Sequence, residues 1–274
     1  MNIVSLFFFN ATRTTEIYTL PLPDALPISR RLTYSNCRNC WVSLNIIPDW
    51  PVPDNVHVFF TTRSGGFSRA PYESLNLALH VGDNPLDVTR NRTSLNTPSE
   101  PVWLNQSHSN ECLDADGDLS NRQADACFTR KKGRVLAVLV ADCLPILFAS
   151  QAGDIVAVVH AGWRGLANDI IKLTLERFKG VSWNVWFGPA ISSCHYEVGE
   201  DVRSRFYTDV GFKKKSSTGK YSMDLVEIAR HQLVNLGVHD LHGAGVCTAC
   251  DSERFFSYRR DGVTGRMAGF LWRE

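Results

Sequence analysis

Several common features are missing from this sequence of 274 residues. No apolar run approaches the length of about 18 residues that a membrane-spanning helix needs, so we expect no contact with a membrane. The formal net charge is only +1, which leaves no surplus of positive charge for binding nucleic acid. The chain also shows no internal repeat, and it lacks the G-x-G-x-x-G motif and the regular βαβ cadence of a dinucleotide-binding fold.

The composition is that of a folded protein with a substantial core, because 44% of the residues are hydrophobic and 21% are charged. The apolar run at residues 4–9 is too short for a secretory signal and has no basic residue before it, so we expect a cytoplasmic protein. In that compartment the eight cysteines serve better as thiols or metal ligands than as a disulfide framework.

The first 44 residues differ from the rest of the chain. Residues 11–29 show no helical or strand period, and within them the stretch T-E-I-Y-T-L-P-L-P-D-A-L-P-I-S resembles translated sequencing-adapter read-through. We therefore expect residues 1–44 to be a disordered or artefactual extension, and residues 45–274 to form the domain that carries the function. Cys37 and Cys40 form a C-x-x-C pair here, but the second such pair, Cys247 and Cys250, lies over two hundred residues away, so we expect no shared zinc site.

The apolar patterns predict short buried strands alternating with a few helices. The runs at 135–140, 145–148 and 155–159 are bounded by Gly, Asp or Pro, as buried strands are. Between 167 and 178 the apolar residues recur at helical spacing. Together these patterns favour an α+β or layered α/β fold.

Three residues at predicted strand ends are candidate metal ligands: His108, Cys143 and His160. Two imidazoles and one thiolate suit Zn²⁺, and three protein ligands leave a position open, as catalytic sites do. Ligand type does not separate zinc from copper. A different use of the same atoms makes Cys143 a nucleophile with a histidine as its base, and the spacing does not decide between the two.

Two arginines are candidate anion ligands. Arg63 stands beside Gly65 and Gly66, where a guanidinium and free backbone N–H groups can meet an anion, although an ordinary turn with a surface arginine has the same pattern. Arg164 lies in the glycine-flanked start of a predicted helix.

A series of segments resembles the YfiH-type family, in order, over residues 46–272. The segments are T-T-R-S-G-G-F-S, N-L-A-L-H-V-G-D, N-Q-S-H-S, A-D-C-L-P-I-L-F, V-V-H-A-G-W-R-G, G-P-A-I-S, Y-E-V-G and F-F-S-Y-R-R-D-G-V-T-G-R-M-A-G-F-L-W. Members of this family are described as multicopper polyphenol oxidase (laccase) domain proteins and as purine nucleoside phosphorylases, and relatives have been assigned to peptidoglycan editing.

The resemblance implies a single layered α/β (α+β) domain with a mixed β-sheet core flanked by helices. It implies a metal, usually zinc, at His108, Cys143 and His160. It also implies phosphorolysis of adenosine, inosine or guanosine to the base and ribose 1-phosphate, with zinc-dependent adenosine deamination and methylthioadenosine cleavage as side activities. The implied partners are purine nucleosides and phosphate, and we expect a monomer or homodimer.

Within that reading, Asp142 joins the three ligands as a catalytic residue, because deamination at a zinc site needs a carboxylate for proton transfer; Glu197 is the other candidate. Arg63, helped by Arg164, would hold phosphate, and Asn76 would bind ribose or phosphate.

The aromatic residues Trp163 and Phe256 are the candidates to face the purine. Of the adjacent pair Arg259 and Arg260, we expect one to be a structural partner and the other to line the site.

Other functions fit parts of the pattern. The laccase description implies Cu²⁺, but the eight histidines include no H-x-H pair of the kind a multicopper oxidase needs. A hydrolase of peptidoglycan precursors would use Cys143 or a metal-bound water, and a non-enzymatic metal-binding or partner-binding protein is a third alternative. Family members often carry neighbouring cysteines after G-P-A-I, whereas this chain has serines before Cys194 and His195, so the family pattern assigns those two residues no role.

Overall fold

A computed structural model describes residues 45–243 and 245–274 of the chain. The described residues belong to one compact unit. The predicted extension at 1–44, with Cys37 and Cys40, lies outside them, so its boundary stays a prediction. None of the helices in the described part is long and apolar enough to cross a membrane.

Short strands make up most of the regular structure. The strands are β1 (Val56–Phe60), β2 (Cys112–Asp114), β3 (Ala126–Thr129), β4 (Leu136–Val140), β5 (Leu144–Ser150), β6 (Val156–Ala161), β7 (Trp183–Phe187), β8 (Glu197–Val198), β9 (Phe212–Lys214), β10 (Tyr221–Met223), β11 (Asp240–Gly243) and β12 (Met267–Arg273). The helices are α1 (Pro85–Thr93), α2 (Trp163–Ala167), α3 (Ile170–Leu175), α4 (Glu200–Arg203), α5 (Leu225–Asn235) and α6 (Tyr258–Asp261).

The largest sheet has six strands in the order β11-β7-β5-β6-β3-β2. Its two outer pairs, β11 with β7 and β3 with β2, are parallel, and its inner pairs are antiparallel. A second sheet places β12 between β1 and β4, and a small third sheet has the order β8-β10-β9. The predicted mixed β-sheet core flanked by helices is thereby confirmed.

The central strands are buried on both faces, which explains why their sequences are continuously apolar. In β5, Ile146 and Phe148 pack on the side of helices α2, α3 and α5. Leu147 and Ala149 pack on the side of the β1-β12-β4 sheet. This alternation follows from the two-residue period of a strand. The six-stranded sheet therefore forms the middle layer, with helices on one side and the β1-β12-β4 sheet on the other.

Helices α1, α5 and α6 begin at a residue whose side chain caps the first turn. The Asp224 side chain accepts hydrogen bonds from the backbone N–H groups of Val226 and Glu227 at the start of α5. The helix predicted over residues 167–178 is instead two helices, because Asp169 adopts a left-handed φ of 62° between α2 and α3.

Candidate active site

Three candidate ligands meet near the ends of strands β4 and β6. Cys143 lies in the turn between β4 and β5, His160 is near the end of β6, and His108 lies in the loop before β2. One ligand atom from each residue lies within 4.8 Å of the others. Cys143 Sγ is 3.7 Å from Nε2 of His108, and the two imidazole centroids are 4.9 Å apart. The structure thus brings together the three residues that stand at strand ends in the sequence.

The buried carboxylate of Asp125 holds both histidines. Its Oδ1 lies 2.7 Å from Nδ1 of His160 and accepts a hydrogen bond from the backbone N–H of His108 at 3.0 Å. Its Oδ2 accepts hydrogen bonds from the backbone N–H groups of Ser107 and Ser109 and from the Ser109 hydroxyl. Because Nδ1 of His160 is occupied in this way, Nε2 is the nitrogen left for a ligand.

Backbone geometry at the site is tight. His108 and Asp142 have φ values of 62° and 91°, in the left-handed region that costs a residue other than glycine about 1 kcal/mol. A Cβ atom on Gly162 would lie 3.0 Å from Cys143 Sγ and 3.0 Å from a ring carbon of His108. The chain therefore needs glycine at this position for the two ligand side chains to lie where they do.

The electrostatics of the site favour a thiolate. Burial raises the pKa of the Cys143 thiol, but the His160 imidazolium and hydrogen bonds from both histidines outweigh it and bring that pKa down from 9.0 to about 6. Burial lowers the pKa of His160, but the Cys143 thiolate and the Asp125 carboxylate raise it overall to about 9. Burial likewise raises the pKa of Asp125, while its bonds to His160 and Ser109 lower it overall to about 2. A thiolate is the form of cysteine that binds a metal, and binding would displace the proton from His160.

These residues fit a metal ion. Two imidazoles and a thiolate are ligands that both zinc and copper accept. The hydrogen bond from Nδ1 of His160 to a carboxylate is the usual arrangement of a metal-binding histidine, because it fixes the ring and raises its basicity.

The three ligands lie in the wall of a cavity of about 510 Å³. This volume is in the range of small-molecule sites. The other lining residues are His80, Gln106, Leu139, Val140, Ala141, Asp142, Trp163, Arg164, Ile191, Tyr196, Leu225, Tyr258, Arg259 and Arg266. The cavity therefore combines the ligand set with aromatic surface and positive charge.

Three arginines supply the positive charge, and each stacks on an aromatic ring. The guanidinium carbons of Arg164, Arg259 and Arg266 lie 4.4, 4.9 and 5.8 Å from the ring centroids of Trp163, Tyr196 and Tyr258 respectively. Among the residues that the structure describes, none of the three forms an ion pair with a carboxylate. Their charge is therefore available to an anion in the cavity.

Asp142 is the carboxylate in the cavity wall, and it is firmly held. One of its oxygens accepts a hydrogen bond from the Thr248 hydroxyl and the other from the backbone N–H of Arg259, each at 2.6 Å. The Asp142 side chain is buried next to Cys143. These two hydrogen bonds fix the carboxylate in the cavity wall. Each of its oxygens keeps a second lone pair that can accept a hydrogen bond from a ligand.

Two of the predicted substrate-binding residues lie outside the cavity lining, whereas Arg164 is part of it. The Arg63 guanidinium donates to the backbone carbonyls of Glu73 and Ser252. Asn76 is buried, and its side-chain carbonyl accepts a hydrogen bond from the backbone N–H of Arg266 at 2.9 Å. Asn76 thus positions an arginine of the cavity from behind.

The other candidates divide between the site and the scaffold. Trp163 lines the cavity, whereas Phe256 is fully buried in the core. Glu197 forms ion pairs with Lys215 and Lys220 and does not line the cavity. Of the arginine pair, Arg259 lines the cavity. Arg260 donates to backbone carbonyls of residues 248, 249 and 255 and is the structural partner.

Sequence reasoning missed several residues of the site. Asp125 could have been found from the sequence, because a carboxylate inside an apolar stretch is buried only where hydrogen-bond donors surround it. His80, Tyr196 and Arg266 lie in segments that carry the family resemblance, but no spacing or local pattern marks them as residues of the cavity. Burial, followed by the positive charges of Arg266 and Arg92, lowers the pKa of His80, so its imidazole is neutral at neutral pH.

Comparison with known proteins matches this chain to a known family. Residues 57–274 match the model of the family described as multi-copper polyphenol oxidoreductase laccase. A protein of Escherichia coli (strain K12) named purine nucleoside phosphorylase YfiH is 44% identical in an alignment 240 residues long that covers 83% of this chain and 98% of that protein. A purine nucleoside phosphorylase of Haemophilus influenzae is 43% identical in an alignment 242 residues long that covers 84% of this chain and 99% of that protein.

Solved structures show the same fold. The crystal structure of a Neisseria meningitidis protein superposes with a TM-score of 0.79 at 42% identity, over 84% of this chain and 99% of that one. YlmD from Geobacillus stearothermophilus superposes with a TM-score of 0.74 at 32% identity, over 81% of this chain and 93% of that one.

Proposed function

This chain belongs to the family described as multi-copper polyphenol oxidoreductase laccase, and we propose that it is a purine nucleoside phosphorylase acting on adenosine, inosine and guanosine. The names of the relatives support the class of activity. The observation that carries the proposal for this chain is the group of three arginines without carboxylate partners, in one cavity with His108, Cys143 and His160.

Phosphate is the anion that suits these arginines. A guanidinium can donate two parallel N–H bonds to a phosphate. Arg259 and Arg266 each donate to backbone carbonyls through Nη1, so Nε and Nη2 are the groups proposed to meet the phosphate. Asn76 supports Arg266 through its backbone, and neighbouring carbonyls of residues 264 and 265 orient its guanidinium. In this proposal Arg164, Arg259 and Arg266 bind phosphate, and Arg63 has a structural role.

The nucleoside would occupy the remainder of the cavity. Trp163, Tyr196 and Tyr258 each have one ring face beneath an arginine, and the apolar side chains of Leu139, Ile191 and Leu225 also line the wall. A purine is a flat aromatic ligand that packs against such surface, while a few polar groups such as Gln106 orient it.

The proposed reaction transfers the ribosyl group from the base to phosphate. A phosphate oxygen forms a bond to C1′ of the ribose, and the bond from C1′ to the purine nitrogen breaks with its electron pair leaving on the base. The departing base takes up the proton that hydrogen phosphate gives up. We propose that the carboxylate of Asp142 accepts this proton and passes it to the purine, since its position is set by Thr248 and Arg259.

We propose that His108, Cys143 and His160 hold a zinc ion, and that Asp125 orients both histidines toward it. Zinc bound there supplies a Lewis acid in the cavity wall. The same ligands and Asp142 would support adenosine deamination as a hydrolytic side activity, and methylthioadenosine would enter the same cavity as a phosphorolysis substrate.

The test compares products with and without phosphate. Protein that has been stripped with a chelator and reloaded with zinc is incubated with adenosine, and the products are separated by chromatography. Adenine and ribose 1-phosphate are expected only when phosphate is present, and His160→Ala is expected to abolish them. Inosine formed without phosphate would report the deaminase activity.

Two results would contradict the proposal. If no nucleoside is consumed under either condition, the phosphorylase assignment is wrong, and a peptidoglycan-precursor hydrolase takes its place. If copper-loaded protein oxidises phenols while zinc-loaded protein leaves nucleosides intact, the laccase description is the correct one. A control variant, Arg63→Gln, should retain phosphorolysis, because Arg63 lies outside the cavity.

A further inference from the structure

A second group of metal-type ligands lies outside the cavity. Cys194, His195, Cys247 and Cys250 each place one ligand atom within 4.8 Å of the others. Cys247 and Cys250 form a C-x-x-C turn, and their partners come from the segment after β7. The C-x-x-C turn of Cys247 and Cys250 therefore lies next to Cys194 and His195, a proximity that the spacing of the cysteines along the chain does not reveal.

We propose that these four residues form a second, structural zinc site. Three thiolates and one imidazole make a complete tetrahedral set, which is typical of closed structural zinc sites rather than open catalytic ones. This site is distinct from the three-ligand group in the cavity, and it requires no assumption about the reaction.

The distances fit a single tetrahedral ion. Zn–S bonds of about 2.3 Å and Zn–N bonds of about 2.0 Å place two sulfurs about 3.8 Å apart and a sulfur and a nitrogen about 3.5 Å apart. Cys194 Sγ lies 3.8 Å from Cys247 Sγ and 3.6 Å from Cys250 Sγ. Nδ1 of His195 lies 3.2, 3.9 and 3.3 Å from the sulfurs of Cys194, Cys247 and Cys250 respectively. A disulfide would need sulfurs about 2.0 Å apart.

The surroundings suit a negatively charged metal–thiolate group. Cys247 Sγ accepts a hydrogen bond from the backbone N–H of Ser192 at 3.4 Å. Arg259 donates to the backbone carbonyl of His195, and Arg260 donates to the carbonyls of Thr248 and Ala249 within the C-x-x-C turn. Zinc with three thiolates would carry a net charge of −1, which the backbone N–H donor of Ser192 at Cys247 Sγ partly offsets.

The site would brace one wall of the cavity. Tyr196 follows His195 directly, and Thr248 lies inside the C-x-x-C turn, where its hydroxyl donates to Asp142. The two segments already meet at the isolated bridge between Ala190 and Cys247, beside which Cys194 and Cys250 are exposed. A zinc ion would add a second link between them at the surface.

Metal content tests the proposal. The full chain is purified under reducing conditions without chelator, and its zinc is measured by mass spectrometry. About two zinc ions per chain are expected, falling to about one in Cys250→Ser and to about one in His160→Ala. The control Cys112→Ala removes a cysteine outside both groups and should retain about two.

A second measurement uses the unmutated chain, in case Cys250→Ser fails to fold. Cys194 and Cys250 are exposed and should react with iodoacetamide at once if they are free, but slowly if they bind zinc. Protection that is lost after chelation supports the site. Three results would each overturn the second zinc site. They are rapid alkylation of the zinc-loaded chain, a content of about one zinc per chain that His160→Ala removes, and a disulfide among Cys194, Cys247 and Cys250.

Discussion

Asp125 accepts a hydrogen bond from Nδ1 of His160 at 2.7 Å, and the same oxygen accepts one from the backbone N–H of His108 at 3.0 Å. A single buried carboxylate therefore sets the position of two of the three candidate metal ligands. It does so without lying in the cavity wall.

Replacing that carboxylate should weaken metal binding. Asp125→Asn keeps the volume of the side chain, but it removes the charge and turns one acceptor oxygen into an NH₂ donor. We expect metal affinity to fall by about 10- to 100-fold, as it does when such partners of metal ligands are removed. Competition with a chelator of known affinity measures the change. Asp154→Asn, in the turn between β5 and β6, is the control and should leave affinity unchanged.

Gly162→Ala should disturb the same ligands from the other side. The added Cβ would lie 3.0 Å from Cys143 Sγ and from a ring carbon of His108, so the ligands must move by a few tenths of an ångström. The backbone of Gly162 has φ −75°, which alanine adopts freely, so folding should be little affected. We expect metal affinity and kcat to fall together by about tenfold while Tm changes little.

A matched variant separates this effect from a general cost of replacing glycine. At Gly117 the nearest atom to an added Cβ is 3.6 Å away, an ordinary contact. Gly117→Ala should leave both metal affinity and kcat unchanged, and an equal loss in the two variants would refute the steric explanation.

Arg164→Gln should raise the KM for phosphate. Loss of a charge-assisted hydrogen bond to an anion costs about 1.5–3 kcal/mol, which corresponds to about 10- to 100-fold in KM. The KM for the nucleoside should change much less, because the variant keeps the aromatic surface of Trp163. Initial rates measured while each substrate is varied in turn separate the two constants.

The matched variant is Arg63→Gln, since Arg63 is the anion ligand predicted from the sequence. Its guanidinium is bound to backbone carbonyls of Glu73 and Ser252, so we expect a lower Tm and an unchanged phosphate KM. If Arg63→Gln raises that KM while Arg164→Gln does not, the sequence-based prediction is correct and the structural assignment is wrong.

Asp142→Asn should lower kcat with little change in KM. Asparagine tolerates the φ of 91° at this position, but an amide cannot hold the proton that the proposed reaction requires. We expect a loss of about 100-fold or more in kcat. Thr248→Val removes one hydrogen bond to this carboxylate and keeps the acid itself, so its loss should be smaller. A larger loss in Thr248→Val would show that the placement of the side chain matters more than its proton.

The apolar runs predict the layered fold, whereas the metal at all three ligands is implied by the family resemblance. Cys143 and His160 lie near the ends of buried strands, where a rigid scaffold presents side chains. His108 lies in a loop, because the strand predicted before it is reduced to isolated bridges at Val102 and Asn105. That the three residues bind a metal stays a prediction for the measurements above.

The remaining residues of the site depend on long-range packing, which leaves no local pattern. Arg266 reaches the cavity because Asn76, far away in the chain, holds its backbone. Arg63 has a promising local sequence, but the carbonyl groups of nearby Glu73 and of distant Ser252 occupy its donors. For both arginines a deciding partner is distant along the chain, so propensity and motif reasoning cannot rank them.

The second sheet depends on a single strand for its closure. β12 lies between β1 and β4 and pairs with both, and Arg266 directly precedes it. Both pairings join segments that are distant along the chain, so we expect this sheet to close late in folding. While β12 is unpaired, the facing edges of β1 and β4 are open apolar strand edges, which are prone to aggregation.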